Sequence, residues 1–142
     1  RHLIDEFKHK SSLIIVRLFK TTVETIQSEK AQQLMTRTVA RLLLKTSRRS
    51  DIVAHYGEGV FAMVLKHTDI ESAKRASERL YDLVSSSNFF LAEQEIQLRI
   101  AIGIAELSSS KGVDQILDCT LTAMDAADNN SKIRYMVCND SQ

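Results

Sequence analysis

Residues 52–65 read IVAHYGEGVFAMVL, and this stretch decides the fold of the chain. Two apolar runs, 52–56 and 60–65, flank the three residues Gly57, Glu58 and Gly59. Such runs on either side of a short glycine-containing segment are typical of a β-hairpin, because glycine reaches the positive φ angles that a tight turn requires. We therefore predict two antiparallel strands joined at 57–59.

Helical and strand patterns flank this hairpin. Residues 13–19 are largely apolar with β-branched members, which predicts a strand buried on both faces. The pattern is helical over 21–46, although 27–33 lacks an apolar stripe, and we expect the first half to be looped or exposed. Asp69 predicts the N-cap of a helix whose apolar residues share one face over 70–84.

The second half of the chain continues this alternation. Ile96, Leu98, Ile100, Ile102 and Ile104 alternate with other residues, which predicts one strand of about ten residues from 95 onward. An amphipathic helix is predicted over 113–127 and a closing strand over 133–137. The residues Leu3, Ile4 and Phe7 predict a short opening helix.

The predicted order is α-β-α-β-β-α-β-α-β. One hairpin among strands that are joined through helices implies a mixed central sheet with helices packed on it. The βαββαβ core of this order is the ferredoxin-like arrangement. We therefore expect a mixed α/β (α+β) fold with a ferredoxin-like βαββαβ core.

Composition limits the class of protein. The 142 residues suffice for one domain, and the net charge of +1 excludes a general polyanion binder that acts through its whole surface. No apolar run is long enough to span a membrane. Cys119 and Cys138 lie far apart without a partner motif, so we expect reduced thiols in a cytoplasmic domain. Because the chain begins with Arg1 rather than Met, we expect a single domain over 1–142 that is cut from a longer protein.

Several motifs resemble one known family. Residues 48–65, RRSDIVAHYGEGVFAMVL, are similar to the centre of GGDEF domains, the diguanylate cyclase family, in which an R-x-S-D-x-x-A-R-Y run leads into Gly-Gly-Asp/Glu-Glu-Phe at a hairpin tip. Residues 76–80, ASERL, and 100–105, IAIGIA, resemble the A-E-R-L helix and the V-S-I-G-I-A strand of the family. The resemblance covers nearly the whole chain except the opening D-x-L-T-G-L-x-N segment, of which only residues 1–4 resemble the tail.

The family's catalytic signature is altered in this chain. The resemblance implies a cyclase that condenses two GTP into cyclic di-GMP across a dimer, with two divalent ions held by carboxylates. The signature positions read Gly57, Glu58, Gly59, Val60 and Phe61. Glu58 would put a negative side chain against phosphate, Gly59 replaces the metal-binding acid, and Val60 replaces the following Glu.

Other catalytic positions of the family are altered as well. No acidic residue occurs from Ser11 to Val23, where the family has a metal carboxylate at the end of its first strand, and Arg17 and Lys20 lie there instead. The family has two positions that read guanine, and these align with Val23 or Glu24 and with Gln32 or Gln33. Its phosphate-binding lysine aligns with Asp128. We therefore expect a degenerate GGDEF domain that is not an enzyme, with no catalytic residues and no Mg²⁺ site.

One ligand motif of the family is retained. Many of these cyclases carry a product-inhibition site, R-x-x-D, whose Asp lies six residues before the first Gly of the signature. In this chain Arg48, Asp51 and Gly57 have this spacing. Arg79 aligns with a second Arg of the site. Guanidinium groups donate to the O6 and N7 edge of guanine or to phosphate, and a carboxylate accepts from guanine N1 and N2. In the alternative interpretation Asp51 caps the turn into the strand, and Arg48 and Arg79 are surface charges.

These residues predict an inactive regulatory domain. We expect it to bind cyclic di-GMP through Arg48, Asp51 and Arg79 and to act as a signal receptor. A two-fold symmetric ligand can join two copies, which predicts a ligand-dependent homodimer. We expect attached sensory or effector domains, and no membrane contact by this domain even if its parent protein is membrane-anchored.

The alternative function is a ligand-free dimerisation or scaffold domain that regulates an attached domain or partner. A third hypothesis, residual GTP binding that activates an attached phosphodiesterase, is disfavoured by Glu58 and Asp128 at phosphate positions. Calorimetry with cyclic di-GMP and with GTP separates the binding hypotheses.

Overall fold

The computed structural model describes residues 10–18, 29–57, 59–87, 89–91, 93–108, 111–130 and 132–138. Its helices and strands, in chain order, are β1 (Ser11–Leu18), α1 (Glu29–Thr46), β2 (Ile52–Gly57), β3 (Val60–Leu65), α2 (Ile70–Ser85), β4 (Phe89–Leu91), β5 (Gln94–Ile96), β6 (Ile100–Leu107), α3 (Val113–Asp128) and β7 (Met136–Val137). The predicted opening helix and residues 19–28 lie outside the described residues. None of the described helices is long and apolar enough to cross a membrane.

Within the described residues, five strands form the central sheet in the order β2-β3-β1-β6-β7. Strand β1 lies in the middle and pairs antiparallel with both β3 and β6, and β7 runs parallel to β6. The separate β4–β5 pair forms a small antiparallel hairpin. The predicted ferredoxin-like βαββαβ core with a mixed sheet and a β2–β3 hairpin is confirmed.

Side chains alternate between the two faces of the sheet. On one face, Ile14 and Val16 of β1 belong to a core with α1 and α2, whose buried members include Met35, Val39, Leu43, Leu80 and Val84. On the other face, Leu13 and Ile15 belong to a core with α3, whose buried members include Ile116, Met124 and Ala127. The prediction that the first strand is buried on both faces is therefore confirmed.

The prediction of one strand from 95 to 104 is wrong. Residues 94–96 pair with 89–91, residues 97–99 are not in a strand, and β6 then pairs with β1. The alternation nevertheless persists, because Ile96, Leu98 and Ile100 are all buried in the same core. The alternating hydrophobic pattern therefore indicates which residues are buried, but it does not show that the partner strand changes from β4 to β1 between residues 96 and 100. The predicted closing strand is also shorter than expected and covers only Met136–Val137.

The prediction of reduced thiols is wrong, because Cys119 and Cys138 form a disulfide with a Cα–Cα distance of 5.5 Å. Cys119 lies in α3, and Cys138 follows β7, where its N–H donates to the carbonyl of Ile104 at 2.6 Å. The parallel pairing of β7 with β6 returns the chain beside α3. This proximity comes from tertiary packing and cannot be read from the spacing of the cysteines.

We expect the disulfide to stabilise the fold by about 2–4 kcal/mol, because it closes a loop in the unfolded chain. The double variant Cys119→Ser/Cys138→Ser should lower the free energy of unfolding by this amount in urea titrations. Under non-reducing conditions a thiol reagent should find no reactive thiol in the unfolded protein, and two after reduction. Two reactive thiols before reduction would contradict the pairing.

Helix α3 packs directly on the backbone of β6 at Gly103. A Cβ at this position would lie 2.4 Å from the carbonyl oxygen of Thr120 and 2.8 Å from the backbone nitrogen of Met124. Both are backbone atoms, so neither can move without shifting the helix. The glycine of the IAIGIA segment is therefore required by the close approach of helix and strand.

Gly103→Ala should destabilise the protein by about 1–3 kcal/mol or more, because the added methyl group must push α3 away from β6. Gly112→Ala is the matched control, since a Cβ at Gly112 meets nothing within 4 Å. That control should cost less than about 1 kcal/mol as an N-cap change. Equal urea midpoints for the two variants would contradict this account of the packing.

Candidate functional site

A cavity of about 180 Å³ lies where the α1–β2 turn, the end of β3 and α2 meet. All three residues of the predicted ligand site line it: Arg48, Asp51 and Arg79. Its apolar wall comes from the sheet, through Ile14, Met63 and Leu65, and from α2, through Leu80. All four residues belong to the same hydrophobic core. The structure therefore brings together the three side chains that the sequence motif selects, and their role in ligand binding stays a prediction.

The turn between α1 and β2 places two of these residues. The N–H of Asp51 donates to the carbonyl of Arg48 at 3.0 Å, and the Arg48 N–H donates to Oδ2 of Asp51 at 2.8 Å. These reciprocal bonds close a tight turn, as an aspartate side chain commonly does. The Asp51 side chain is only 4% exposed. The turn-capping role of the alternative interpretation is thus present, and it fixes Asp51 at the edge of the cavity.

Arg48 is anchored through one nitrogen of its guanidinium group. Nη2 donates to Thr68 Oγ1 at 2.6 Å, to the carbonyl of Lys66 at 3.0 Å and to Asp51 Oδ1 at 3.3 Å. Nη1 and Nε make no hydrogen bond within the described part of the chain, and the side chain is 56% exposed. Because a guanidinium carries five N–H donors, Arg48 keeps donors available for a ligand.

Arg79 approaches the same cavity from α2. It is exposed and lies off the buried face of that helix, which consists of Ala73, Ser77, Leu80 and Val84. Among the residues that the structure describes, no carboxylate pairs with Arg79. Its positive charge is therefore not neutralised locally, which favours an anion or an acceptor-rich ligand at this end of the cavity.

The first turn of α2 borders this cavity through Ser72. Asp69 caps the helix, and its Oδ1 accepts from the Ser72 N–H at 2.9 Å. This backbone hydrogen bond lowers the pKa of the Asp69 carboxyl below its ordinary value. The cap therefore stays ionised at neutral pH and fixes the first turn of α2, which carries Ser72 at the cavity.

The signature hairpin lies at the other end of β1. Gly59 has φ +68°, the left-handed conformation that the sequence predicted for a glycine in the turn, and its carbonyl accepts from the Leu18 N–H at 2.8 Å. Phe61 is buried and stacks on His55 with ring centroids 4.9 Å apart. Val60 pairs with Arg17 of β1. Glu58 lies outside the described residues.

Arg17 forms two ion pairs with α3. Its Nη2 lies 2.9 Å from Oδ1 of Asp125, and its Nη1 lies 2.9 Å from Oδ2 of Asp128. Sequence reasoning missed this cluster, although a signal was present: Arg17 is the only charged residue in 11–18, and a charge next to a core needs a partner.

The residues around Arg17 do not fit a pair of magnesium ions. Magnesium requires oxygen ligands, whereas Arg17 contributes a cation, and Gly59 and Val60 contribute no side-chain oxygen. Among the residues that the structure describes, the carboxylates of Asp125 and Asp128 lie beside Arg17 and are already paired with it.

A second cavity, of about 730 Å³, lies between α1 and the hairpin. Its lining includes Gln32 and Gln33, which align with a guanine-reading position of the family, together with Arg37, His55 and Phe61. A glutamine amide does not supply the carboxylate that the family uses to accept from guanine. Glu29 also lines this cavity, so a carboxylate is present on its wall at a position other than 32 or 33.

Comparison with known proteins settles the family. The model of the family described as "Diguanylate cyclase, GGDEF domain" matches residues 7–134. The chain belongs to the GGDEF family. Diguanylate cyclase A of Treponema denticola is 23% identical to this GGDEF domain over 121 residues, which are 82% of this chain and 33% of that protein. The chain thus spans about a third of the curated relative that it matches.

Solved structures show the same fold. The GGDEF domain of DgcB from Caulobacter crescentus, in complex with c-di-GMP, superposes with a TM-score of 0.84 at 14% identity, covering 98% of this chain and 84% of that one. The active GGEEF domain of a diguanylate cyclase from Vibrio cholerae gives a TM-score of 0.80 at 16% identity, covering 99% and 90%. At these identities the likeness shows the fold alone, and it confirms the architecture expected from the resemblance.

Proposed function

We propose that this GGDEF domain is catalytically inactive and acts as a receptor for cyclic di-GMP. The observation that carries the proposal is the convergence of Arg48, Asp51 and Arg79 on one cavity, with hydrogen-bond donors of Arg48 and the whole guanidinium of Arg79 not engaged by described residues. The three residues come from two separate segments of the chain. Their convergence therefore exceeds what a four-residue motif alone requires.

The proposal of inactivity rests on the end of β1. A cyclase of this family needs two divalent ions to neutralise the triphosphate of GTP. Arg17, which supplies no oxygen ligand and is paired with Asp125 and Asp128, lies where the resemblance implies a metal carboxylate. Asp128 stands where the resemblance implies a phosphate-binding lysine, so this position supplies no cation to the triphosphate.

The chemistry of the cavity suits a guanine edge. The free donors of Arg48 match the O6 and N7 acceptors of guanine, and Arg79 matches either this edge or a phosphate. Oδ1 of Asp51 can accept from guanine N1 or N2, since its contact with Arg48 Nη2 is long, at 3.3 Å, whereas Oδ2 is held by the Arg48 N–H at 2.8 Å. The cavity is smaller than the ~300–1,000 Å³ of sites that enclose a whole ligand. We therefore expect one base at the cavity and the rest of the ligand on the surface.

The second candidate function is a ligand-free scaffold or dimerisation domain. The specific observation in its favour is that both oxygens of Asp51 are engaged within the turn and the side chain is nearly buried. In that case the only role of Asp51 is to close the α1–β2 turn, and Arg79 is an ordinary surface charge.

Catalysis is tested by incubating the purified domain with GTP and Mg²⁺ or Mn²⁺ and quantifying cyclic di-GMP by chromatography. We expect no product above a buffer control, while an active cyclase domain in parallel gives product. The variant Glu58→Gly/Gly59→Asp/Val60→Glu should remain inactive, because Arg17 still replaces the first-strand carboxylate. Product from the unmodified domain would refute the proposed inactivity.

Ligand binding is tested by calorimetry with cyclic di-GMP. Each charged hydrogen bond contributes about 1.5–3 kcal/mol, so Arg48→Ala or Asp51→Ala should weaken binding roughly 10- to 100-fold. Arg79→Ala should weaken it less if Arg79 contacts only phosphate. The matched control is Arg75→Ala, an exposed arginine one turn earlier on α2 that bonds Ser72 and does not line the cavity. This control should leave the affinity within about twofold.

Two further measurements define specificity and assembly. Cyclic di-AMP should compete poorly, because adenine has an amino donor where guanine has O6 and lacks the N1 proton. The symmetric ligand has a guanine at each end, so a ligand-dependent mass increase is expected in light scattering. If high-micromolar cyclic di-GMP gives neither heat nor a thermal shift, the receptor function is wrong and the scaffold function replaces it.

A further inference from the structure

Thr68 is a buried polar residue between β3 and α2, and it is only 6% exposed. All of its polar groups are hydrogen-bonded. Its N–H donates to the carbonyl of Lys10 at 2.8 Å, and its carbonyl accepts from Ser12 Oγ at 2.9 Å. Its hydroxyl lies 2.9 Å from the carbonyl of Lys66 and 2.6 Å from Arg48 Nη2.

These partners fix the direction of the hydroxyl proton. A carbonyl only accepts and a guanidinium only donates, so the proton of Thr68 Oγ1 points to Lys66 and a lone pair points to Arg48. The contact with Thr68 is the shortest of the three that Arg48 Nη2 makes. The hydroxyl therefore holds the guanidinium by Nη2 and leaves Nη1 and Nε toward solvent or ligand.

The backbone before Thr68 supports this placement. His67 has φ +56°, a left-handed conformation that residues other than glycine rarely adopt. Such a conformation persists only where the surroundings fix it. The bonds of Thr68 to Lys10 and Ser12 contribute to that restraint, because they tie the residue after His67 to the start of β1.

We propose that Thr68 is a positioning residue of the ligand site, which orients Arg48 and connects it to the N-terminal end of β1. Nothing in the R-x-x-D motif points to Thr68, which lies 20 residues after Arg48. The positioning of Arg48 stands whatever the ligand is. The effect on affinity rests on the proposed function, that is, on cyclic di-GMP binding at Arg48.

The affinity test uses two variants at Thr68 and one matched control. Thr68→Val keeps the shape and removes the hydroxyl, and it should weaken cyclic di-GMP binding about 10-fold, the effect of one lost hydrogen bond of about 1.4 kcal/mol. Thr68→Ser keeps the hydroxyl and should bind within about twofold of the wild type. Thr120→Val also removes a buried hydroxyl, which bonds the carbonyl of Ile116 in α3 and does not line the cavity, and this variant should bind within twofold of the wild type.

Rescue by serine is the decisive pattern. If Thr68→Val and Thr68→Ser weaken binding equally, or if Thr68→Val binds like the wild type, the positioning role is wrong. Circular dichroism before titration checks that each variant is folded. If Thr68→Val does not fold, Thr68→Asn replaces it. That variant keeps a polar side chain with a different reach, so wild-type affinity in it would overturn the proposal.

A ligand-free measurement keeps this inference separate from the proposed function. In a double-mutant cycle, Arg48→Ala should shift the urea midpoint less in the Thr68→Val background than in the wild type. The reason is that both substitutions remove the same hydrogen bond, from Arg48 Nη2 to Thr68 Oγ1. Additive shifts would contradict the link between Thr68 and Arg48. If the wild type fails to bind cyclic di-GMP, the proposed function fails, and this cycle alone decides the positioning role.

The connection to β1 is read from amide resonances at saturating cyclic di-GMP. In the wild type and in Thr68→Ser, the Ser12 amide should shift on binding, since Ser12 bonds the residue that holds Arg48. In Thr68→Val the shift should be lost although the site is saturated. Equal Ser12 shifts in all three proteins, or none in the wild type, would refute this connection.

Discussion

The structure depends on strand β1, which pairs with a neighbouring strand on each side. Strand β1 is hydrogen-bonded along both edges, and its alternating side chains take part in two separate cores. The two ends of this strand adjoin the candidate ligand cavity and the ion pairs of Arg17. Ser12, near its start, connects through Thr68 to Arg48 and the cavity, and Arg17, near its end, connects to Asp125 and Asp128. Both regions are therefore placed by the same buried scaffold, although they lie on different faces of it.

The ion pairs of Arg17 matter more for chemistry than for stability. Arg17 and Asp128 are both partly exposed, and ion pairs in such settings contribute about 0–1 kcal/mol. The resemblance implies a carboxylate on this strand and a lysine on the last helix, whereas this chain has an arginine and an aspartate. In this chain the two residues are bonded to each other, and the pair of Arg17 with Asp128 joins β1 to α3.

Much of the fold could be predicted because periodicity records burial. The hairpin at 57–59, the N-cap at Asp69 and the helix ending near Asp128 were all visible as local patterns. The convergence of Arg48 and Arg79 followed from motif spacing in a known family. Three features could not be predicted, since each depends on distant segments meeting: the change of partner strand between 96 and 100, the disulfide of Cys119 with Cys138, and the contact of Thr68 with Arg48.

The bare backbone contact at Gly103 has a mechanical consequence. At this point α3 contacts the backbone of β6 with no side chain of β6 between them, so the helix cannot shift along the strand by changing side-chain rotamers. The disulfide from Cys119 fastens the same helix to the segment after β7. Helix α3 and strands β1 and β6 are therefore expected to move as one rigid block. A displacement of α3 would then carry β1 and β6 with it rather than slide past them.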